Sequence, residues 1–169
     1  MDPTIIISRL QDNGLVIDNM LTGIPVKQER WKPAADKWSM LEVICHLCDE
    51  EKDDFRTRLD YTLHKPGQSW PPIDPTGWVF TRHYLDQNFG EMKINFLSAR
   101  LDTISWLEAL NHVDWNMEYS HPQYGIFTAG DLLVSWLAHD YRHIRQLANL
   151  NVHYMQVLAA PYSIRYAGD

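Results

Sequence analysis

The chain has 169 residues, of which 45% are hydrophobic and 22% charged; these are ordinary values for one globular domain spanning residues 1–169. The formal net charge of −7 argues against nucleic acid or an anionic membrane surface as the main partner, because such surfaces require clustered Lys and Arg. No apolar run reaches membrane-spanning length, and the N-terminus lacks the features of a signal peptide, so we expect a cytoplasmic protein.

The first predicted helix spans residues 4–22. Its apolar stripe, at steps near 3.6 residues, consists of Ile6, Leu10, Ile17 and Leu21. Gly14 weakens such a helix by about 1 kcal/mol relative to Ala without breaking it. Residues 23–37 contain two prolines and are predicted to form a long connection.

The second predicted helix begins at Ser39. Ser39 and Glu42 have the spacing of a capping box, and Trp38 is an apolar residue just outside it. The first half of this helix is apolar on nearly every side, whereas residues 49–58 are mostly charged. The helix is therefore predicted to begin buried and to end exposed, with His46 in the buried half.

The two cysteines, Cys45 and Cys48, lie within this helical pattern. A thioredoxin-like redox pair requires a preceding strand, and a four-thiolate zinc site requires a second pair. Neither is found, so we interpret both cysteines as small buried hydrophobic residues. Oxidation of the pair stays open as an alternative.

A proline-rich connection follows at residues 64–82, which contain four of the nine prolines. Trp70 and Trp78 give it apolar surface to bury. We interpret it as a loop packed against the helices. A partial lid over a pocket is the functional alternative, since long ordered loops often carry binding sites.

A third helix is predicted over residues 84–110. Its apolar stripe consists of Ile94, Leu97, Leu101, Ile104 and Leu107. Residues 111–127 are rich in turn formers. No stretch alternates with period two, so no strand is expected and the predicted class is all-α, with four main helices and long connections.

The fourth helix is predicted over residues 128–150. Thr128 and Asp131 form a start signature, and apolar residues then recur at helical intervals. His139 and His143 are four residues apart, which places their Cβ atoms about 5–6 Å apart on one helix face, so both can bind one metal ion. The tail, residues 151–169, has no clear period and is expected to pack on the domain.

A third candidate ligand is His46, on the second predicted helix. Zinc or another borderline divalent ion binds neutral imidazole, and three histidines leave one position open for water or substrate. The other histidines are expected at the surface, His121 being the best additional pocket contact; they are His64, His83, His112, His121 and His153.

The sequence between the paired histidines invites comparison with the His-Glu-x-x-His motif of metalloproteases. Asp140 is one methylene shorter than that glutamate, and no third ligand follows at protease spacing. We therefore expect Asp140 to orient a neighbouring group, or to pair with Arg142 or another surface cation.

Three motifs together resemble the DinB-like superfamily of damage-inducible proteins and thiol-dependent S-transferases. They are Trp38-Ser39-x-x-Glu42-x-x-x-His46-Leu47-x-Asp49-x-Glu51, His121-Pro122-x-Tyr124-Gly125 and Trp136-x-x-His139-Asp140-x-x-His143-x-x-Gln146. The resemblance covers nearly the whole chain, in order and in spacing. It implies a four-helix bundle in which His46, His139 and His143 hold a divalent ion, with zinc and nickel as the expected metals.

The resemblance also implies a bacterial homodimer acting on small molecules, with a low-molecular-weight thiol such as bacillithiol or mycothiol as co-substrate. A thiol S-transferase is therefore the first functional hypothesis, although no Arg or Lys cluster in the sequence announces a pocket for an acidic thiol. A non-catalytic metal-binding or stress-response dimerisation module is the second. The third is a metal-dependent hydrolase, for which Glu50 is the best candidate base.

Overall fold

Seven α-helices and one β-hairpin make up the fold within residues 2–168, the residues that the computed structural model describes. In chain order they are α1 (Pro3–Leu21), α2 (Val26–Glu29), α3 (Met40–Asp49), α4 (Arg56–His64), α5 (Trp78–Thr81), α6 (Phe89–Ala109), β1 (Glu118–His121), β2 (Gly125–Thr128) and α7 (Ala129–Leu158). A π-helical segment, Glu50–Phe55, joins α3 to α4 without a break. The four main helices are therefore α1, the continuous α3–α4 helix, α6 and α7. This confirms the predicted all-α four-helix architecture.

The four main helices bury two clusters of apolar side chains. One cluster joins α1, α3, α6 and α7 and includes Ile17, Leu41, Leu47, Phe96 and Leu147. The other joins α1, α4, α6 and α7 and includes Leu10, Leu59, Leu107, Leu133 and Trp136. Each main helix thus contributes to both clusters, which holds the bundle together along its length. None of the helices within residues 2–168 is long and apolar enough to cross a membrane.

Both predicted helix starts are confirmed as capping boxes. Glu42 N donates to Ser39 Oγ at 3.3 Å, and Ser39 N donates to Glu42 Oε2 at 2.7 Å. At α7, Asp131 N donates to Thr128 Oγ1 at 3.0 Å, and Thr128 N donates to Asp131 Oδ2 at 2.8 Å. These reciprocal bonds satisfy N–H groups that have no partner within the helix.

Ser39→Ala should lower the free energy of unfolding by about 0.5–2 kcal/mol, because it removes the cap of a fully buried helix start. Urea denaturation measures this change. Ser98→Ala, on an exposed position of α6, is the matched control and should change stability by less than about 0.5 kcal/mol. Equal midpoints for the two variants would show that the Ser39 cap does not stabilise the domain.

The hairpin corrects the expectation that no segment is extended. β1 and β2 pair antiparallel, with Tyr119 opposite Phe127 and His121 opposite Gly125. Both strands are only four residues long and are mostly exposed or half-buried, so they carry no clear apolar alternation. Gly125 adopts a φ of 84°, a left-handed conformation that glycine reaches without strain and that closes the turn.

The predicted stripe of the third helix is wrong in part. α6 begins at Phe89, and Ile94 and Leu101 are 68% and 59% exposed. The buried face instead carries Phe96 and Arg100 together with residues further along. Periodicity of apolar residues missed this face because one of its central members is an arginine.

The tail differs from its prediction because α7 continues to Leu158, two turns beyond residue 150. Tyr154 is buried, but Met155 and Leu158 are exposed, so this extension packs on the domain only in part. Tyr162, beyond the helix, is 81% exposed.

The other two interpretations of apolar residues agree with the structure. Cys45 and Cys48 are free and buried, and burial raises the pKa of Cys45 to about 12. Trp70 and Trp78 are also buried, so the connection between α4 and α6 packs against the helices. Its role as a lid stays a prediction.

Candidate metal centre

Three histidine side chains converge between α3 and α7. His46 Nε2 lies 3.3 Å from His139 Nε2, and His143 Nε2 lies 3.1 Å from the same atom. The candidate ligand atoms of the three residues all lie within 4.8 Å of one another. The structure therefore brings together the three residues that the sequence predicts as metal ligands. We call them the histidine triad.

The triad is largely withdrawn from solvent, and His46 is only 5% exposed. Burial, followed by the neighbouring His143, lowers the pKa of His46 to about 3. Burial and the two neighbouring imidazoles lower the pKa of His139 to about 2, and burial also lowers the pKa of His143. The rings are therefore neutral at pH 7, which is the form that binds a metal ion.

Neighbouring side chains orient the rings. His143 Nδ1 lies 2.9 Å from Gln146 Oε1. An amide oxygen only accepts hydrogen bonds, so Nδ1 carries the proton and the lone pair of Nε2 faces the other histidines. The indole of Trp38 packs on the ring of His46, with centroids 4.9 Å apart.

The donor set of the triad fits a divalent ion. Nitrogen ligands at 2.0–2.1 Å from a tetrahedral zinc ion are about 3.3–3.4 Å apart, close to the Nε2 separations of 3.1 and 3.3 Å. Nε2 of His139 faces two other ring nitrogens, and a single N–H proton cannot satisfy both contacts. A cation satisfies all three lone pairs, and His46, His139 and His143 would hold it.

Glu50, the sequence-based candidate for a catalytic base, lies near His46 but does not line the cavity beside the triad. Its Oε1 is 3.9 Å from Nδ1 of His46, the ring nitrogen that does not face the other histidines. Burial and the neighbouring Asp54 raise the pKa of Glu50 to about 9. Glu50 is therefore placed to influence the orientation of His46.

The charged half of the second main helix is less exposed than predicted. Glu50, Glu51 and Asp54 are all buried, at 4%, 1% and 7% exposure. The π-helical segment Glu50–Phe55 accounts for this, because its wider turn lets two consecutive residues face inward. Glu50 reaches toward His46, while Glu51 reaches into the core.

A buried ion cluster adjoins the triad. Arg100, only 3% exposed, donates to both carboxylate oxygens of Glu51, at 2.8 Å each. It also donates to both oxygens of Asp140, at 2.7 and 2.9 Å. The prediction that Asp140 pairs with Arg142 or another surface cation is therefore wrong. Its partner is an arginine in the core that sequence reasoning missed.

Gly14 makes room for this arginine. A Cβ atom at Gly14 would lie 3.1 Å from Cγ of Arg100, which is closer than ordinary van der Waals contact. Arg100 Nη1 also donates to the backbone oxygen of Leu10, on the same helix, at 2.6 Å. The glycine that weakens α1 thus allows close packing of the ion cluster against it.

A cavity of about 670 Å³ lies beside the triad, and His139 and His143 form part of its wall. Lys37, Arg142 and Arg145 line the same cavity, while no Asp or Glu does. We call these three residues the cationic wall. This wall could not be predicted from the sequence, because its members come from the connection before α3 and from α7 and meet only in the fold.

The remaining histidines lie outside the triad. His64, His83 and His112 are exposed, as predicted. His153 is also exposed but lines the cavity beside the triad. His121, predicted as an additional pocket contact, lies at the end of β1 and lines a different cleft.

The fold and this site define a helical-bundle protein with three converging histidines, two of which line a cavity. The sequence profile of the DinB superfamily matches residues 15–147. The chain therefore belongs to the DinB superfamily, as the sequence motifs predicted.

Among solved structures, YfiT from Bacillus subtilis matches with a TM-score of 0.78 and 16% sequence identity. The match covers 88% of this chain and 85% of that chain. YfiT is described as "a probable metal-dependent hydrolase with an unusual four-helix bundle topology". At this identity the likeness shows the shared fold. A comparison with curated proteins found no match.

Proposed function

We propose that the protein is a divalent-metal-dependent S-transferase that uses a low-molecular-weight thiol. The observation that carries the proposal is the convergence of three Nε2 atoms, one from buried His46 and two from half-buried residues that line a cavity of small-molecule size. His46, His139 and His143 hold the ion, which we take to be zinc or nickel. A bound ion of this kind favours the deprotonated form of a thiol, which is the nucleophilic form.

The cationic wall supports an anionic thiol as co-substrate. Arg142 and Arg145 are exposed, and neither forms an ion pair with another residue in the described part of the chain. Lys37 pairs with Asp36 at 3.0 Å, so the two arginines supply the unpaired positive charge beside the triad, in a chain whose net charge is −7. Such local concentration attracts anionic ligands and orients them.

The same cavity has apolar wall residues that suit the organic part of either substrate. Pro33, Trp38 and Leu150 contribute this surface. A thiol bound by its anionic group at the cationic wall would have its sulfur directed to the triad by the apolar wall. Binding both reactants in one cavity supplies the proximity that a transfer reaction requires.

A metal-dependent hydrolase is the second candidate, and the description of YfiT favours it. The placement of the carboxylates in this chain favours it less. No Asp or Glu lines the cavity. Glu50 lies near Nδ1 of His46, the nitrogen that does not face the other histidines. Both oxygens of Asp140 accept hydrogen bonds from Arg100. A hydrolase here would therefore lack a carboxylate base on the cavity wall. The non-catalytic metal-binding module and the homodimer stay predictions.

A cobalt-substituted protein tests the transferase proposal. Addition of N-acetylcysteine should produce a sulfur-to-metal charge-transfer band at a pH below the free thiol pKa of about 8.5, because coordination favours the thiolate. N-acetylcysteine amide, which lacks the carboxylate, should bind less tightly. Replacing Arg142 and Arg145 by Glu should weaken N-acetylcysteine about tenfold and change the amide little.

The Cys45→Ser, Cys48→Ser variant separates added thiol from the thiols of the protein itself. Both cysteines are buried, so the band should be unchanged in this variant. If cobalt is bound but no added thiol changes its spectrum at any pH, the transferase proposal fails. Hydrolysis of activated esters without thiol would then favour the hydrolase.

A further inference from the structure

A second cleft, away from the triad, lies between the proline-rich connection and the β-hairpin. Its volume is about 770 Å³. Pro71, Pro72 and Ile73 form one wall, and His121 and Tyr124 belong to the other. The rings of His121 and Tyr124 stack with centroids 4.7 Å apart, and Tyr124 is 73% exposed. Both walls therefore present flat or rigid surfaces to the cleft.

His121 offers a hydrogen-bond donor of fixed identity in this cleft. The backbone N–H groups of Gln123 and Tyr124 both donate to its Nδ1, at 3.1 and 3.2 Å. Nδ1 is thus an acceptor, and the neutral imidazole carries its proton on Nε2. Nε2 has no hydrogen-bond partner among residues 2–168, so its N–H is available to a ligand.

Arg58 also lines the cleft, next to its ion-pair partner Asp54. Its Nε lies 2.6 Å from Asp54 Oδ1, and its guanidinium lies over the ring of Trp70, 4.9 Å from the centroid. The ion pair and the contact with Trp70 keep the guanidinium beside the cleft. Its terminal Nη groups donate to no residue within the described range.

We propose that this cleft binds a flat aromatic carboxylate. The stacked His121 and Tyr124 rings suit an aromatic ring, because offset stacking on such faces adds to simple burial. The available donors, His121 Nε2 and the Nη groups of Arg58, suit an acceptor that carries negative charge. The carboxylate of Asp54 is already paired with Arg58 and does not oppose it.

The cleft is distinct from the metal centre. Asp54 and Arg58 lie eight and twelve residues after His46 on one continuous helix, which corresponds to about 12 and 18 Å along its axis. No residue of the triad lines the cleft. This inference therefore does not rest on the proposed transferase activity.

The probe for this inference is 2-naphthoate. It is titrated into the protein, and its binding is monitored by the tryptophan indole N–H signals in NMR spectra. We expect saturable binding at millimolar or lower concentration and a shift of the Trp70 signal, which a Trp70→Phe variant assigns. Neutral 2-naphthalenemethanol should bind at least about tenfold more weakly, since it lacks the charged acceptor. Cyclohexanecarboxylate should also bind more weakly, since it cannot stack.

Two variants test the named contacts. Tyr124→Ala removes an exposed stacking ring and should weaken 2-naphthoate about three- to tenfold. His121→Asn retains an acceptor for the two backbone N–H groups but loses the Nε2 donor. This variant should weaken 2-naphthoate binding about tenfold or more. Tyr162→Ala, which removes another exposed tyrosine, is the matched control and should have no effect.

The His139→Ala, His143→Ala variant separates this site from the metal centre, and it should bind 2-naphthoate as the native protein does. Loss of binding in that variant would place the ligand at the triad and overturn the inference. The absence of saturable binding up to about 5 mM would overturn it as well. The inference would also be overturned if Tyr124→Ala and His121→Asn bound 2-naphthoate with the same affinity as the native protein.

Discussion

Replacing Arg100 by Leu is expected to lower the free energy of unfolding by about 3–5 kcal/mol. The substitution leaves Glu51 and Asp140, each about 99% buried or more, without the cation that donates to all four of their oxygens. Trp136 Nε1 still donates to Glu51 Oε2 at 3.2 Å, but no cation then balances either buried carboxylate, and an unbalanced buried charge is costly because it has lost its hydration. Urea denaturation of the metal-free variant and native protein measures the difference.

Arg82→Leu is the control for this prediction. Arg82 also pairs with two carboxylates, those of Asp49 and Asp53, at 2.7 Å each, but its side chain is 35% exposed. Its removal should cost only about 1 kcal/mol, since solvent screens the charges that remain. A similar loss of stability in both variants would contradict the assignment of the large effect to burial.

A combined variant identifies the cause of the loss. Adding Glu51→Gln and Asp140→Asn to Arg100→Leu removes the two unpaired charges while keeping the side-chain shapes. This triple variant should regain part of the stability, because the remaining neutral amides cost less to bury than carboxylates. If the triple variant is no more stable than Arg100→Leu, lost packing of the arginine, rather than unpaired charge, causes the destabilisation.

The main helices could be predicted from sequence because their start signals are local. Ser39 with Glu42, and Thr128 with Asp131, define their helix starts within four residues of chain. The end of α7 was missed because no glycine or proline stops it at residue 150. The hairpin was missed because its short strands bury little apolar surface and so show no period-two pattern.

In the candidate site, too, residues with a local sequence signal could be predicted and the others could not. His139 and His143 could be predicted because four residues on a helix place them together. His46 was a candidate because it lies in the buried half of another predicted helix, and the family resemblance then implied the same three ligands. Arg100 could not be predicted, because a charged residue in an amphipathic pattern indicates an exposed face. Its burial depends on Glu51 and Asp140, which are distant in sequence. Contacts between distant residues leave no local signal.

Asp140 and His139 connect the two parts of the site. They are adjacent on α7, yet Asp140 is held by Arg100 in the core while His139 faces the other two histidines. The same helical turn is thus fixed on one side by a buried ion pair and presents a candidate metal ligand on the other. This arrangement limits rotation of the turn and keeps the imidazole in place before an ion binds.

The protein purified without a histidine tag should contain about one divalent ion per chain, and the His139→Ala, His143→Ala variant should contain none. Two of the three converging ring nitrogens are lost in that variant, and a single histidine cannot retain the ion through purification. Elemental analysis by mass spectrometry measures the occupancy. His46→Ala alone tests the third ligand: retention of the ion there would assign that position to another residue.

The matched control for that loss is His64→Ala, His153→Ala, which removes two exposed histidines and leaves the triad intact. It should retain the full ion content. Because His153 lines the cavity beside the triad, this variant also tests whether it supplies a ligand. Full occupancy in the His139→Ala, His143→Ala variant would contradict the triad as the metal site. Loss of the ion in the control would instead extend the ligand set beyond the three converging nitrogens.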